Sequence, residues 1–486
     1  MITYSSLPLW SLLIPVAGAL LASRFRENQH FLRGVLSFFV VLFSFCLVAI
    51  MLPAIMSGKI VVCHVLPILP NLEFILLVDP LGIIFGLVAS GLWLFAIIYA
   101  TGYMHGHNGQ PRFFFYYLLS MSATLGVAFA GNIFTLYLFF EYLTLCTYPL
   151  VIHERSSEAV KAGRKYILYS LIGAGAILFA TVITYSWSGN LEFVGEPVFK
   201  GLLRPGLNGL LLLFIAGFGV KAAVIPLHRW LPAAMVAPTP VSALLHAVAV
   251  VYSGVFGILR VVYSVFGHEI VGQLSISNIL PWIAAFTILA GIIIATRQDV
   301  LKRRLAYQTI SHLSYILLGA FTLKSWGLAG AVFHMISYST LKVALFFCAG
   351  IISEKTGETN ISRMQGVGRS LPKTMFAFSA AIMGMIGMLP LNTFWGKYYL
   401  MKGSVEAGKW PLALVLIGSG IINAICFIPV IVNAFRGERE KVSVERGESS
   451  LLMLAPTLVL IIISLIIGLV PGLIWPGVEA VVKGFY

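Results

Sequence analysis

Charged side chains are scarce in this chain. Only 10% of its 486 residues are charged and 59% are hydrophobic, and the mean hydropathy is +0.95. A soluble globular protein carries roughly 25% charged residues, so the scarcity excludes an ordinary water-soluble domain. Apolar runs of about 20 residues, the length that crosses a bilayer, recur along the whole sequence. The composition therefore predicts a protein that crosses a membrane many times.

Cysteine is also scarce, and the usual motifs for metal, nucleotide and redox chemistry are missing. There is no phosphate-binding loop, no GxGxxG motif after a strand, and no HExxH or CxxC cluster. Without such motifs we expect no cofactor, no metal and no redox chemistry carried by this chain alone, so energy must come from an ion gradient or from partner subunits. The five cysteines have neither metal-ligand nor redox spacing and lie at Cys46, Cys63, Cys146, Cys348 and Cys426.

Acidic residues are fewer than basic ones, 18 against 32, for a formal net charge of +14. The basic residues cluster in alternate loops between apolar runs, so they do not indicate nucleic acid. The positive-inside rule places these loops in the cytoplasm and both termini outside. No basic leader precedes the first apolar run, so we expect no cleaved signal peptide. The clusters are Arg24 and Arg26; Arg155, Lys161, Arg164 and Lys165; Arg297, Lys302, Arg303 and Arg304; Lys355, Arg363, Arg369 and Lys373; and Arg436, Arg439, Lys441 and Arg446.

The apolar runs predict an all-α polytopic membrane protein with about 14 transmembrane helices and no soluble domain. The connections between the runs are too short to fold as an independent core. The predicted spans cover residues 7–23, 31–52, 77–100, 113–130, 133–152, 165–187, 208–227, 239–265, 278–295, 303–322, 326–352, 372–391, 410–435 and 451–475.

Prolines interrupt two of these spans. The seventh runs through Lys221 into Pro226 and then WLPAAMVAPTPVSALLHA, and the twelfth contains Pro390 with Lys397 after it. Proline cannot continue a regular helix. Broken helices at matching places in two halves are typical of a transport site, and their separation of five spans predicts two five-helix repeats of opposite orientation. The alternative is that these prolines only kink the helices.

Glu141 is a lone carboxylate inside the apolar run IFTLYLFFEYLTLCTYPLVI. A charge near the bilayer centre is costly and usually marks an ion or proton path, although a hydroxyl or lysine partner would also make it a structural residue. Lys221 lies about fourteen residues into its span, where snorkelling to the interface is the alternative to function. A desolvated lysine close to a carboxylate holds or releases a proton as its partner's charge moves.

The eleventh span carries His334, Tyr338 and Lys342 at i, i+4 and i+8. This spacing places three proton-capable groups on one helix face over about 12 Å. The stripe predicts a proton path, with packing against a neighbouring helix as the alternative.

For three further histidines and one lysine, the sequence does not distinguish a role in proton relay from a structural role. His228, His246 and His312 each suit a proton relay or a structural hydrogen bond equally well. Lys302 lies beside Arg303 and Arg304 at the edge of the tenth span. It fits either positive-inside anchoring or the relay.

Six stretches carry a resemblance to a known family. LYLFFEYLTL, VKAAVIPLHRWLPAAMVAPTPVSALLHA, DVLKRRLAYQTISHLSYILLG, FHMISYSTLKVALFFCAG, ISRMQGVGRSLPKTMFAF and LPLNTFWGKYYL resemble the antiporter-like subunits of respiratory complex I (its L, M and N chains), of membrane-bound hydrogenases and of Mrp cation/proton antiporters. The resemblance covers about residues 100–435, and the second stretch is the most specific.

The resemblance implies a fold and a set of site residues. The implied fold has fourteen helices: N-terminal helices in 1–112, inverted repeats in 113–265 and 266–435, and a last helix in 436–486 with no lateral helix after it. Two positions depart from many relatives, with Tyr252 where they carry a lysine and Tyr338 where some carry a histidine. The implied mid-membrane proton relay comprises Glu141, Lys221, His246, Lys342 and Lys397. His312 and His334, predicted from the sequence itself, complete the predicted relay.

These observations predict a proton-translocating, antiporter-like subunit of a redox-driven pump related to complex I or to a membrane-bound hydrogenase. Its expected partners are other membrane subunits and the lipid bilayer, and its expected location is the cell (inner) membrane. The expected ion is the proton, with Na+ as an alternative. Two other functions stay open: a D-type subunit of an Mrp Na+/H+ antiporter, and a structural membrane scaffold whose charged residues are relics.

Overall fold

A computed structural model describes residues 2–69, 72–436 and 447–486. The basic residues Arg439, Lys441 and Arg446 of the last predicted cluster lie outside the described residues. The first part of the chain contains β1 (Ile2–Tyr4), α1 (Leu7–Ala22), α2 (His30–Met56), β2 (Ile60–Leu69), β3 (Leu72–Val78), α3 (Pro80–Tyr103), α4 (Gln110–Ala128), α5 (Ile133–Val151), α6 (Ser157–Ser188) and α7 (Leu207–Lys221).

The middle of the chain has shorter and more irregular elements. It contains a 3₁₀ turn (Leu227–Arg229), α8 (Trp230–Ala233), a second 3₁₀ turn (Ala234–Val236), α9 (Thr239–Ala247), α10 (Val250–Arg260) followed by a π-helical segment (Val261–Phe266), α11 (His268–Gln273), a 3₁₀ turn (Ser275–Asn278), α12 (Leu280–Thr296), α13 (Leu301–Phe321) and α14 (Ser325–Thr356).

The last part returns to long helices. It contains a 3₁₀ turn (Ile361–Arg363), α15 (Val367–Ser370), α16 (Pro372–Ile386), α17 (Thr393–Glu406), α18 (Pro411–Phe435), α19 (Leu451–Leu469), a 3₁₀ turn (Pro471–Leu473) and α20 (Trp475–Phe485).

Every predicted span overlaps one of these helices, so the predicted all-α polytopic architecture is confirmed. Within the described residues, nine helices are long and apolar enough to cross a membrane. Two of them, α14 and the segment Thr239–Phe266, are almost wholly buried inside the protein, which explains how polar side chains are tolerated there. The count of fourteen, the inverted repeats and the domain boundaries stay predictions.

The seventh and twelfth spans, which were predicted to be interrupted by proline, are broken as predicted. Helix α7 ends at Lys221 and the chain continues in short turns to Val236, whereas the twelfth span is divided between α16 and α17. The eighth predicted span, 239–265, corresponds to the apolar segment Thr239–Phe266. It contains an interruption that was not predicted, because α9 ends at Ala247 and α10 begins at Val250. The N–H groups of Val248 and Ala249 both donate to the carbonyl of Leu244. No proline or glycine marks this interruption, so local sequence rules could not predict it.

A small sheet, which the sequence analysis did not predict, lies at one end of the helical bundle. β1 pairs in parallel with β2, and β2 pairs antiparallel with β3, with Val62 opposite Leu77. The C-terminal Tyr486 packs against Tyr263 and lines the same surface cavity as Ile60 of β2. Both chain termini therefore lie at this end.

The basic loops meet at the other end of the bundle. Glu27 accepts hydrogen bonds from the backbone of Gly109, and Arg303 of α13 pairs with Glu158 of α6 at 3.3 Å. The alternate loops that the positive-inside argument grouped together therefore lie together in space.

Near the sheet, Asp79 and Arg260 form an ion pair with two hydrogen bonds of 2.6 and 2.7 Å. The Arg260 side chain is 0% exposed. Asp79 also accepts from the Gly82 N–H, which caps the first turn of α3. The pair joins α3 to α10 and fixes the two helices where they meet the sheet.

We expect Asp79→Asn to destabilise the protein by about 3–5 kcal/mol, because the amide keeps the helix cap but leaves the buried Arg260 charge unpaired. The thermal unfolding midpoint in detergent measures this. Glu196→Gln is the matched control, because its pair with Lys200 is exposed and such pairs contribute at most about 1 kcal/mol. Equal midpoints for the two variants would show that the Asp79 charge is dispensable.

Candidate ion-translocation site

Lys221, the last residue of α7, contacts α5 beside Glu141. Lys221 is completely buried, and its Nζ donates a hydrogen bond to the carbonyl of Phe140, the residue before Glu141. The same Nζ lies 3.5 Å from the centroid of the Phe140 ring, a cation–π contact. The Glu141 carboxylate acts electrostatically on Lys221, and its Oε1 has no hydrogen-bond partner among the described residues. The acid and the base predicted from sequence therefore lie in the same region, although within the described residues they form no direct ion pair.

The break after Lys221 is held by packing as well as by proline. Trp230 donates its indole N–H to the carbonyl of Val220 at 2.7 Å, and the same carbonyl accepts from the Ala223 N–H at 3.1 Å. Gly254 of α10 lets two backbones touch, because a Cβ there would overlap the Ala222 nitrogen. Helix α10 therefore supports the end of α7 that carries Lys221.

His246 is a buried imidazole in α9, one residue before the helix ends. Neither ring nitrogen has a hydrogen-bond partner in the described part of the chain. The charges that act on it are those of Lys342 and Lys302. Buried polar groups are almost always hydrogen-bonded, by protein or by water, so this ring is suited to bind water.

Hydrogen bonds connect Lys342 to the histidine pair through two amides. The Lys342 Nζ donates to Gln308 Oε1 at 2.8 Å, and Gln308 Nε2 donates to Asn423 Oδ1 at 2.8 Å. Asn423 Nδ2 then lies 3.1 Å from His312 Nε2, and His312 Nδ1 lies 3.2 Å from His334 Nε2. The chain of hydrogen bonds joins α14, α13 and α18, and all five side chains are buried.

Lys397 approaches the same row from the break between α16 and α17. Its Nζ donates to the carbonyls of Met385 and Ile386 at 3.0 and 2.8 Å. The Met385 carbonyl also accepts from Asn423 Nδ2 at 3.3 Å. Lys397 and Asn423 therefore share one acceptor, which links the twelfth-span lysine to the row that begins at Lys342.

Sequence reasoning missed Gln308 and Asn423. They carry no charge, and the sequence prediction considered only ionisable groups within apolar spans. One signal was present, because Gln308 lies four residues before His312 on the same face of α13. Asn423 is a polar residue in an otherwise apolar span, and no spacing connected it to the others.

Tyr252, Tyr338 and His228, which the sequence analysis also singled out, make other contacts. Tyr252 donates its hydroxyl to the Met335 carbonyl at 3.0 Å and stacks on Tyr338 at 6.3 Å. The Tyr338 hydroxyl and His228 Nδ1 have no partner within the described ranges. The His228 ring packs against Tyr307 at 6.0 Å and is not part of the row of hydrogen bonds.

A polar cavity of about 440 Å³ opens at the end that carries the basic loops. It is lined by His107, Arg112, His153, Glu154 and Pro238, among others. Burial, together with the positive charge of Arg112, lowers the pKa of His153 to about 4, so this histidine is neutral at physiological pH.

Lys302 connects this cavity to the interior. Its Nζ donates to the carbonyl of Ala237 at 3.0 Å, and Ala237 precedes the cavity residue Pro238. Glu154, which lines the cavity, acts electrostatically on Lys302, and Lys302 in turn acts on His246. This position is consistent with both interpretations that the sequence left open for Lys302, and its role stays a prediction.

Comparison with known proteins identifies the family. Residues 130–422 match the family described as NADH:quinone oxidoreductase/Mrp antiporter, TM. The chain belongs to this family. Residues 70–114 also match the N-terminus of chain 5 of NADH-ubiquinone oxidoreductase (complex I). The resemblance stated from the sequence motifs is confirmed.

Two curated relatives illustrate the breadth of the family. NADH-quinone oxidoreductase subunit N of Desulforudis audaxviator is 35% identical over 369 residues, covering 74% of this chain and 72% of the relative. A probable K+/H+ antiporter component of Rhizobium meliloti is 31% identical over 404 residues, covering 81% of this chain. The aligned region is only 39% of that longer relative.

Solved structures share the fold. The Mrp complex from Dietzia sp. DQ12-45-1b contains a chain that matches 99% of this one with a TM-score of 0.88 at 21% identity. The archaeal membrane-bound sulfane sulfur reductase contains a chain that matches equally well, with the same TM-score and identity. At this identity the likeness concerns the fold alone, and the roles of individual residues stay predictions.

We expect Gly254→Ala to impair ion transport, because the new Cβ would overlap backbone atoms of Ala222 and Lys221. Backbone atoms cannot move aside as a flexible side chain could. Overpacking of this kind costs roughly 1–3 kcal/mol and displaces the end of α7. Gly175→Ala is the control, since no atom lies within 4 Å of its Cβ position. Transport and thermal stability are measured together in both variants. Unchanged values for Gly254→Ala would mean that Lys221 does not depend on this contact.

Proposed function

We propose that this chain translocates protons as an antiporter-like membrane subunit of a redox-driven complex related to complex I or to a membrane-bound hydrogenase. One observation carries the proposal: basic side chains are buried in α7, α9, α13, α14 and α17, and hydrogen bonds connect those from Lys342 to His334. Ionisable groups within membrane spans mark ion paths, and the family match supports this interpretation.

The proposed path starts at the cavity beside Glu154. By the positive-inside rule this end faces the cytoplasm and both termini lie on the opposite side. Protons load near Lys221, pass His246 and Lys342, and leave by way of Lys397.

Glu141 and Lys221 form the proposed switch. Glu141 is only partly buried, and Leu145, one turn further along α5, is 61% exposed, so this face of α5 is open to a neighbouring membrane subunit. When such a neighbour draws the carboxylate away, Lys221 loses charge stabilisation and gives up its proton. Neighbouring subunits of one complex are therefore the partners that the mechanism requires.

The second candidate function is that of an Mrp-type Na+/H+ antiporter subunit. A Na+/H+ antiporter component of Staphylococcus aureus is 28% identical over 508 residues and covers 96% of this chain. A purified complex in liposomes separates the two functions. A pH gradient formed during electron transfer supports the redox-driven pump, whereas one formed only when a Na+ gradient is imposed supports the antiporter.

We expect Glu141→Gln and Lys221→Met to lower proton pumping at least tenfold, because each removes one charge of the switch and each tenfold loss corresponds to about 1.4 kcal/mol. Pumping is measured in inverted membrane vesicles with assembly followed in parallel. Glu479→Gln, in an exposed pair with Lys483, is the control. Wild-type pumping by an assembled Glu141→Gln complex would refute the switch.

A further inference from the structure

The two amides at Gln308 and Asn423 stand in the middle of the row, and the direction of their hydrogen bonds is fixed. When Lys342 is an ammonium, which only donates, the Gln308 atom beside it is the oxygen. The other end of Gln308 is then the NH₂ group, which meets the Asn423 oxygen. The Asn423 NH₂ therefore donates onward, both to His312 Nε2 and to the Met385 carbonyl.

The same logic fixes the tautomers of the histidine pair. His312 accepts at Nε2, so the neutral ring carries its proton on Nδ1 and donates to His334 Nε2. His334 then carries its proton on Nδ1, which has no hydrogen-bond acceptor among the residues described. Every hydrogen bond from Lys342 to His334 is therefore donated in one direction.

We propose that Gln308 and Asn423 form a proton insulator: they hold Lys342 and His312 in one hydrogen-bonded row and prevent protons from passing between them at rest. This inference rests on the proposed function, because it assumes that Lys342 and His312 belong to one proton path. Unlike lysine, histidine and carboxylic acids, a primary amide does not titrate in the physiological range. A proton on either amide would create a charge without compensation in a dehydrated interior, which is strongly unfavourable.

The insulator needs to open once per proton, and the geometry indicates how. Gln308 lies on α13 and Asn423 on α18, so separating the amides admits water between the two helices. Asn423 shares the Met385 carbonyl with Lys397. An ammonium at Lys397 competes for this acceptor, so the charge on Lys397 affects how firmly Asn423 is held.

The test is passive proton leak in liposomes that contain the assembled complex, under an imposed K+ diffusion potential and without turnover. The double variant Gln308→Glu with Asn423→Asp replaces both amides by groups that carry protons, and we expect leak to rise at least fivefold. Each single variant leaves one amide in the row and is expected to leak like the wild type. Adding Lys342→Met to the double variant should return the leak to the wild-type value.

Two further variants keep the test decisive if the paired carboxylates prevent assembly. Gln308→Ser with Asn423→Ser shortens both side chains and admits water, and it should also leak at least fivefold more than the wild type. Gln110→Glu is the control, because this buried amide binds Arg33 outside the row. Wild-type leak in both double variants, or equal leak in single and double variants, would overturn the insulator.

A separate measurement tests the proposed function. If Lys342→Met pumps protons like the wild type during turnover, the path itself is wrong. If Lys342→Met abolishes pumping but the double variants do not leak, only the insulator is wrong.

Discussion

The structure depends on one kind of contact: each of the four interior lysines donates to a backbone carbonyl instead of pairing directly with a carboxylate. The acceptors are the carbonyls of Phe140, Ala237, Leu305, and Met385 with Ile386, for Lys221, Lys302, Lys342 and Lys397 respectively. Carbonyl dipoles stabilise an ammonium group but leave its net charge uncancelled. A charge held in this way still acts on its neighbours, as those of Lys302 and Lys342 do on His246.

Interrupted helices supply several of these carbonyls. Inside a regular helix each carbonyl is already bonded to an N–H four residues ahead, whereas the end of α16 leaves the carbonyls of Met385 and Ile386 for Lys397. Irregular backbone at membrane depth is tolerated where protein or a polar cavity surrounds it, and here α10 packs against α7 and α14 packs against α16 and α17. The helix breaks therefore supply carbonyls for interior lysines, and the helices packed against the breaks shield this irregular backbone from lipid.

The sequence predicted those parts of the site that follow from local rules. Pro226 and Pro390 marked the two breaks, and the spacing of His334, Tyr338 and Lys342 placed them on one face of a buried helix. The interruption at Val248 and the Gln308–Asn423 pair could not be predicted in the same way. They arise from contacts between segments far apart in the chain, and the two amides are 115 residues apart. Neither a helix-breaking residue nor a charge marks these positions in the sequence.

The fixed tautomers of His312 and His334 have a consequence for speed. When a proton enters at His312 Nε2 and another leaves from His334 Nδ1, both imidazoles are left with their protons on the opposite nitrogens. The pair then accepts no second proton in the same direction until both rings have rotated and their protons again occupy the starting positions. The rings stack at 5.4 Å with an interplanar angle of 7°, so neither turns without disturbing the other. This reorientation, rather than any single proton jump, would set an upper limit on the turnover rate.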